Sequence, residues 1–329
     1  MADSESETPR YIQALGSALG DEMERDPTVM AMGIDVGASG GVYGVTRGLQ
    51  ERFGAERVRD APIAEAGVVG AAVGAAMAGM RPVVEIMYMD FVAVCLDPIV
   101  NQAAKLRYMT GGGVRVPVVF RTQTGGGRSA GAQHSQSLEG LLAHIPGLRV
   151  YCPGDARDAY DLLVAAIRDD SPVCFVENRR LYPRRDPEWG REPLPAGSPR
   201  VIRPGQELTV VTWGRMVSET VRALESVEGP GSDPEIIDLR TLSPLDLAPV
   251  VESVKRTGRC LVVHEAVEAF GPGAEIVARI VEEALYYLDG PVERFGALPT
   301  PVPYSPVLES AMLPTHESIA TKLAEVAVA

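Results

Sequence analysis

Two acid–base residues stand out by the company they keep. Between Ala61 and Met80 the chain carries one ionisable side chain, Glu65, among alanines, valines and the glycines Gly67, Gly70, Gly74 and Gly79. A helix so short of side-chain bulk lets other backbone or a flat ligand approach closely. Pro62 suits the first turn of such a helix, which sets Glu65 near its N-terminus. Two readings are open there. In one, Glu65 belongs to a buried packing helix and complements its dipole. In the other, its carboxyl is held in an apolar wall, where exclusion of water favours the protonated form and lets it pass a proton near neutral pH. The second residue is His134, in Gln133-His134-Ser135-Gln136 at the end of a glycine-rich polar stretch that starts at Thr122. A histidine at the carboxyl end of a parallel strand lies where α/β proteins bind ligands, although polar loops also carry histidines with no task.

Two other patterns invite chemistry that their surroundings do not support. Gly125-Gly126-Gly127-Arg128-Ser129-Ala130 fits a dinucleotide fingerprint, which requires a strand directly before it and a helix opening within it. Gly127-Arg128-Ser129-Ala130-Gly131 fits a nucleophile elbow, which demands a strand running into the serine and a helix leaving it. His264 or His316 could complete a triad with Ser129 on paper, so a serine hydrolase is the best rival enzyme. No Walker loop occurs, and no Gly-Asp-Gly followed about 30 residues later by Asn, the pattern that binds magnesium and diphosphate in thiamine-diphosphate enzymes. A phosphorylated cofactor would need another chain to hold its phosphates.

The elements that must position these residues follow from periodicity. Residues 10–25 read as an amphipathic helix and 28–34 as a strand, followed by the turn-rich Asp35–Gly41. Helix is expected over 45–53, the small-residue stretch and 90–108, and strand through 58 and over 82–87 and 114–121. Then come helix 138–144, strand 149–151, helix 156–168 and strand 173–177. Alternating βα units with apolar strands argue for a parallel sheet covered on both faces. Asn178–Gln206, rich in proline and arginine, reads as a crossing to a second, smaller α/β domain. Strands are expected there near 208–213, 234–239, 259–264 and 291–296, and helices near 216–226, 246–256, 273–287 and 315–327. The divisions are 1–180, a linker over 181–206, and 207–329.

Composition narrows the classes. Hydrophobic residues at 46% and charged residues at 23% describe a globular protein, and a formal charge of −13 argues against a nucleic-acid partner. Cys95, Cys152, Cys174 and Cys260 form no C-x-x-C pair, which suggests neither a zinc cage nor a disulfide framework. The acidic N-terminus is unlike a signal peptide, and the Ala/Gly-rich run with its Glu is unlike a membrane span. No membrane association and a cytoplasmic location are therefore expected.

Several stretches together carry a family resemblance: Thr46-Arg47-Gly48-Leu49, Ala61-Pro62-Ile63-Ala64-Glu65, Arg81-Pro82-Val83-Val84-Glu85, Asn101-Gln102-Ala103-Ala104-Lys105 and Gly131-Ala132-Gln133-His134-Ser135-Gln136. His144-Ile145-Pro146-Gly147-Leu148, Asp238-Leu239-Arg240-Thr241-Leu242 and Pro301-Val302-Pro303-Tyr304 follow in the same order. With them the chain resembles the β subunit of thiamine-diphosphate-dependent 2-oxo acid dehydrogenases, part of the transketolase superfamily. The resemblance implies a parallel-sheet pyrimidine-binding domain followed by a smaller transketolase C-terminal-like domain. It implies an α subunit that holds Mg2+ and the cofactor's diphosphate in an α2β2 heterotetramer. This chain would supply the aminopyrimidine pocket, with Glu65 hydrogen-bonding N1′ and Ile63 and Phe91 against the ring. His134 matches the histidine facing substrate and lipoyl group. Val118, Ala166, Asp169 and Ser171 fall where the family holds a structural cation, often K+, with Ser171 replacing the usual Asn. Ile34 replaces a glutamate of an acidic path between the two active sites, while Asp97 of that path is present.

The expected reaction is decarboxylation of a 2-oxo acid, with acyl transfer to lipoate on a dihydrolipoyl acyltransferase. An acetoin-type enzyme or acyloin-forming carboligase is the alternative, and a non-catalytic scaffold the rival from another class. Thr122-Gln123-Thr124 differs from the Gly-Pro-Asn common in pyruvate enzymes, which leaves the substrate open.

Overall fold

The computed structural model describes residues 8–185 and 189–329; the acidic first residues 1–7 and residues 186–188 of the crossing lie outside the described residues. Its first half runs α1 (Tyr11–Arg25), β1 (Val29–Gly33), α2 (Leu49–Phe53), β2 (Val58–Asp60), α3 (Glu65–Met77), β3 (Arg81–Ile86), α4 (Ala104–Met109), β4 (Val119–Thr124), α5 (Glu139–Ala143), β5 (Arg149–Tyr151), α6 (Ala156–Arg168) and β6 (Val173–Asn178). The remainder comprises β7 (Arg200–Arg203), β8 (Leu208–Thr212), α7 (Arg215–Ala223), β9 (Pro234–Asp238), β10 (Thr241–Ser243), α8 (Ala248–Thr257), β11 (Cys260–Val267), α9 (Pro272–Ala284), β12 (Val292–Ala297), α10 (Pro306–Met312) and α11 (His316–Val328).

Two sheets result, a seven-stranded one ordered β10-β5-β6-β4-β3-β1-β2 and a five-stranded one ordered β12-β11-β8-β9-β7. All neighbours are parallel except the edge pairs β10–β5 and β7–β9. The fold class is therefore the expected two-part α/β architecture with mostly parallel sheets. Both antiparallel edges come from stretches that periodicity did not mark as strands: three residues of β10, and β7 inside the arginine-rich crossing.

The covering helices follow their apolar spacing. α6 buries Ala159, Leu162, Leu163, Ala166 and Ile167, and the Asp155 carboxylate caps its start by accepting the Asp158 amide at 2.7 Å. Together with Tyr11, Ala14, Leu15, Ala18 and Leu19 of α1 it covers one face of the first sheet. Each fully buried leucine here stabilises the fold by roughly 2 kcal/mol. On the opposite face, a core through Val69, Ala72 and Ala76 of α3 and Val84 and Phe120 of the sheet continues to Val250 of α8 and Ile276 of α9, joining the two halves.

Three boundaries moved. Gly44 and Gly48, at φ 87° and 77°, hold turns that delay α2 to Leu49. Pro117 lacks a donor and delays β4 to Val119, after which Thr122, Gln123 and Thr124 extend it along β6. The long helix expected over 90–108 is a tight turn over Met89–Cys95, a wide π turn over Pro98–Ala103 and then α4, with Pro98 at the break.

Candidate active site

Glu65 is the first residue of α3, half-buried, where helix amides without intrahelical partners favour a carboxylate. The helix is not enclosed as its composition suggested. Val68, Val69, Ala72, Val73 and Ala76 face the core, whereas Gly67, Ala71, Gly74 and Ala78 are exposed. A Cβ added at Gly70 or Gly74 would meet nothing within 4 Å. This smooth apolar face continues to Ile63, which is 82% exposed. Behind Glu65 a small cavity is lined by Gly33, Ile34, Val68, Val84 and Glu85. The Cys95 thiol, pushed up to about 12 by burial and further by the charge of Glu65, donates to the Phe91 carbonyl at 3.6 Å. Glu65 and Phe91 therefore share one neighbourhood.

Phe91 meets His134 edge-on, with ring centroids 5.6 Å apart at 88°. Tyr88 packs against both, 5.9 Å from Phe91 and 4.6 Å from His134. Its φ of 60° is unusual for a residue with a Cβ, and its amide is held at 3.1 Å by Gln123 Oε1. The Gln136 side-chain amide donates to Asp90 Oδ1 at 2.8 Å, tying the histidine loop to the turn that carries Phe91. Arg179 lies 4.8 Å over the Tyr88 ring and donates to the carbonyls of His134 and Gly125. Two loops far apart in the chain thus converge on one aromatic cluster with a half-buried imidazole at its edge.

The histidine loop is gripped from behind. Gly125, Gly127, Ser129 and Gly131 all have positive φ, and such turns aim amides inward as a nest for negative charge. Glu265 on β11 accepts the Gly126 amide at 2.8 Å, along with Asn178 Nδ2 at 2.8 Å and Arg215 Nε at 3.1 Å. Glu309 on α10, itself only 2% exposed, accepts the amides of Gly127 and Ser129 on its two oxygens at 2.8 Å each. The Tyr304 ring stands so close to Gly131 that any Cβ there would lie 2.2 Å from it. Sequence reading missed Glu265 and Glu309, and only the Pro-Val-Pro-Tyr stretch pointed to this region.

Residues 7–185 match the family described as "Transketolase, pyrimidine binding domain" and residues 197–319 "Transketolase, C-terminal domain". The chain is 44% identical over 319 residues to the acetoin:2,6-dichlorophenolindophenol oxidoreductase subunit beta of Cupriavidus necator, covering 93% of this chain and 94% of that one. It is 44% identical over 308 residues to the pyruvate dehydrogenase E1 component subunit beta of Rickettsia bellii, covering 93% and 95%. The chain belongs to the E1 β-subunit family with transketolase-type domains. Among solved structures, a split-gene transketolase described as an inactive beta4 tetramer superposes with a TM-score of 0.79 at 20% identity, covering 98% of this chain and 99% of that one. At that identity the likeness bears on fold alone.

Ile34 is buried beside Glu65 and adds an apolar side chain, where the family carries a glutamate, to a cavity that Glu65 and Glu85 also line. Asp97 is exposed and accepts Asn101 Nδ2 at 2.8 Å. Deeper in the sheet, Arg121 bridges Glu85 (3.0 Å) and Glu177 (2.6 Å), all three buried, and burial raises the Glu85 carboxyl above its ordinary value despite that arginine. Val118, Ala166, Asp169 and Ser171 do gather where β4 begins and α6 ends. Their oxygens are already engaged, however. The Val118 carbonyl accepts from Val173, the Asp169 carbonyl from Arg81 at 3.1 Å, the Asp169 carboxylate pairs with Arg149 at 2.7 Å, and Ser171 Oγ accepts from Arg107 at 2.8 Å. Three guanidinium groups on one such cluster fit a cation poorly.

Ser129 sits in the middle of a loop, with neither the strand before it nor the helix after it that an elbow requires. His264 is buried flat against Trp213 and bonds to the Ala266 carbonyl; His316 pairs with Glu219 and Glu317. Neither is placed as a partner for Ser129. Among the described residues no helix is long and apolar enough to cross a membrane.

Proposed function

We propose that this chain is the β component of a thiamine-diphosphate-dependent enzyme that decarboxylates a 2-oxo acid, active only with an α subunit in an α2β2 assembly. The observation that carries the reading is a half-built pocket: Glu65, Phe91 and Ile63 lie beside the bare, small-residue face of α3, with His134 at its margin. Glu65 and these apolar side chains fit the aminopyrimidine end of the cofactor, while the magnesium and diphosphate pattern is missing from the sequence. When bound, the cofactor supplies electrophilic carbon chemistry that accepts electrons as carbon dioxide departs.

The chain's own groups have separate tasks. Glu65 holds a proton at N1′ of the ring, and the cover of a second subunit over α3 excludes water from that carboxyl. Phe91 and Ile63 would flank the ring when the cofactor is bound. His134 presents its imidazole to the substrate as a proton donor or carboxylate partner. Glu265 and Glu309 hold the His134 loop in place from the rear, so that the imidazole does not wander between turnovers.

Acyl transfer to lipoate on a dihydrolipoyl acyltransferase is the second half of the reaction in this reading. An acetoin-type reaction is the alternative favoured by the Cupriavidus relative and by buried Ile34. Co-expression with an α subunit, followed by assays with a lipoyl domain and with an aldehyde acceptor, separates the two. Turnover by the purified β chain alone would sink both.

A further inference from the structure

Beside the His134 loop opens a second concavity, a cleft of about 620 Å³ lined by Arg10, Tyr43, Arg128, Arg179, Arg180 and Tyr182, with Ile12, Gly127 and Pro183. Four of these residues are arginines, and among the described lining residues none carries a carboxylate, in a chain whose formal charge is −13. The arginines come from loops at the carboxyl ends of β4 and β6 and from the start of α1, around the crevice where ligands of parallel sheets bind. Guanidinium groups gathered this way repel one another unless an anion sits between them.

The floor of the cleft is built rather than fortuitous. Arg179 is 3% exposed, and its Nε has no hydrogen-bond partner, a costly arrangement for a buried cation. Its other contacts lock it in place: the Tyr88 ring beneath it and the carbonyls of Gly125 and His134. Arg180 donates to the Gly127 carbonyl and Arg128 to the Arg179 carbonyl at 3.4 Å, so both are steered by backbone while their side chains stay at the mouth. Arginine forks of this kind match carboxylate or phosphate oxygens in pairs.

We propose that this cleft binds a small organic or inorganic anion, and that in catalysis the anion is a second acidic group carried by the 2-oxo acid substrate. The substrate assignment rests on the reading of His134 as the substrate-facing residue, because Arg179 couples the cleft to His134 through that residue's carbonyl. The anion site itself rests on the cleft alone.

The full-length chain is titrated calorimetrically with succinate and with inorganic phosphate, beside an Arg128→Gln/Arg180→Gln variant whose thermal unfolding reports its fold. Both substituted residues are exposed; should the pair unfold, Arg180→Gln alone decides. At least one anion is expected to bind the unsubstituted chain, and the variant to bind it about tenfold more weakly, the value of one lost charge-assisted hydrogen bond. No binding by the unsubstituted chain, or undiminished binding by a folded variant, overturns the site. In the complex with an α subunit, kcat/KM for 2-oxoglutarate relative to 2-oxopentanoate is expected to fall about tenfold in the variant. An unchanged ratio with weakened anion binding overturns the substrate assignment and makes the ligand a separate effector. Anion binding by a chain whose complex decarboxylates neither acid would count against the proposed reaction and leave the cleft standing.

Discussion

Glu309 and Ser129 lie 180 residues apart in sequence, yet the carboxylate of one accepts the backbone amide of the other at 2.8 Å, while its second oxygen takes the amide of Gly127. An α-helix near the end of the chain thus shapes the loop that presents His134. Glu309→Gln keeps the volume but leaves a single acceptor oxygen, so one of the two amides faces an NH2 that cannot accept and the other loses its charge assistance, a bond to a charged group being worth about 1.5–3 kcal/mol. We expect kcat of the assembled enzyme to fall about tenfold or more, and the unfolding midpoint by a few degrees. An unaltered kcat in a destabilised Glu309→Gln enzyme would limit this residue to structural support.

Glu65→Gln tests the proton-holding role directly. Glu65 is half-buried at the first turn of α3, so its removal costs the fold no more than about 1 kcal/mol of dipole interaction. Turnover with the α subunit should nevertheless drop at least about a hundredfold, the scale of losing positioned acid–base catalysis. A variant that turns over at the normal rate would leave the chain a scaffold.

The bare face of α3 gives a prediction of opposite sign for the lone chain and for the complex. Nothing stands within 4 Å of a Cβ added at Gly74, which is exposed, and leucine is the better helix former by about 0.5–1 kcal/mol. Gly74→Leu should hold or raise the melting temperature of the isolated chain while blocking its co-purification with an α subunit. Normal assembly of this variant would show that the partner sits elsewhere.

Burial pushes the Glu139 carboxyl up to about 7 from the ordinary 4.5, its Trp213 hydrogen bond notwithstanding. Below about pH 4.5 this group is protonated in both folded and unfolded chains, and its full contribution to stability is present. Between there and about pH 7 the unfolded chain releases the proton first, so stability falls as pH rises, by on the order of 3 kcal/mol. Asp238, raised to about 8 by burial and by Asp158, extends the same trend. Glu139→Gln should flatten this decline and be relatively more stable than the unsubstituted protein at pH 8, as read from urea midpoints at pH 5 and 8. Parallel pH profiles would refute the assignment.

Local chemistry explains which parts of this structure were legible beforehand. The bounds 156–168 of α6 were readable because capping acid, apolar stripe and terminal arginine all agree within fourteen residues. Glu65 stood out in the sequence as the lone charge of an apolar run, His134 by its place beyond a parallel strand, and Phe91 only through the family resemblance; the structure sets the three in one neighbourhood. The exposure of one side of α3 was not legible, since alanine and glycine look equally suited to a core or to a contact surface. Nor were β10, too short to show alternation, and Glu265 and Glu309, whose task exists only after the two halves dock. Pro117 and the positive-φ glycines Gly44 and Gly48 shift strand and helix starts through backbone geometry that apolar periodicity does not register.

The last strand of the larger sheet is lent to it from beyond the crossing: Thr241 of β10 lies opposite Tyr151 of β5, and Ser243 opposite Val150. A protease nick or gene truncation that removed everything after residue 185 would therefore strip more than a neighbouring lobe. It would bare the outer rim of β5, a row of open amides and carbonyls ready to zip onto another polypeptide. Borrowing one short strand thus makes the two lobes hostages to each other, and evolution could recombine them only by carrying that strand along.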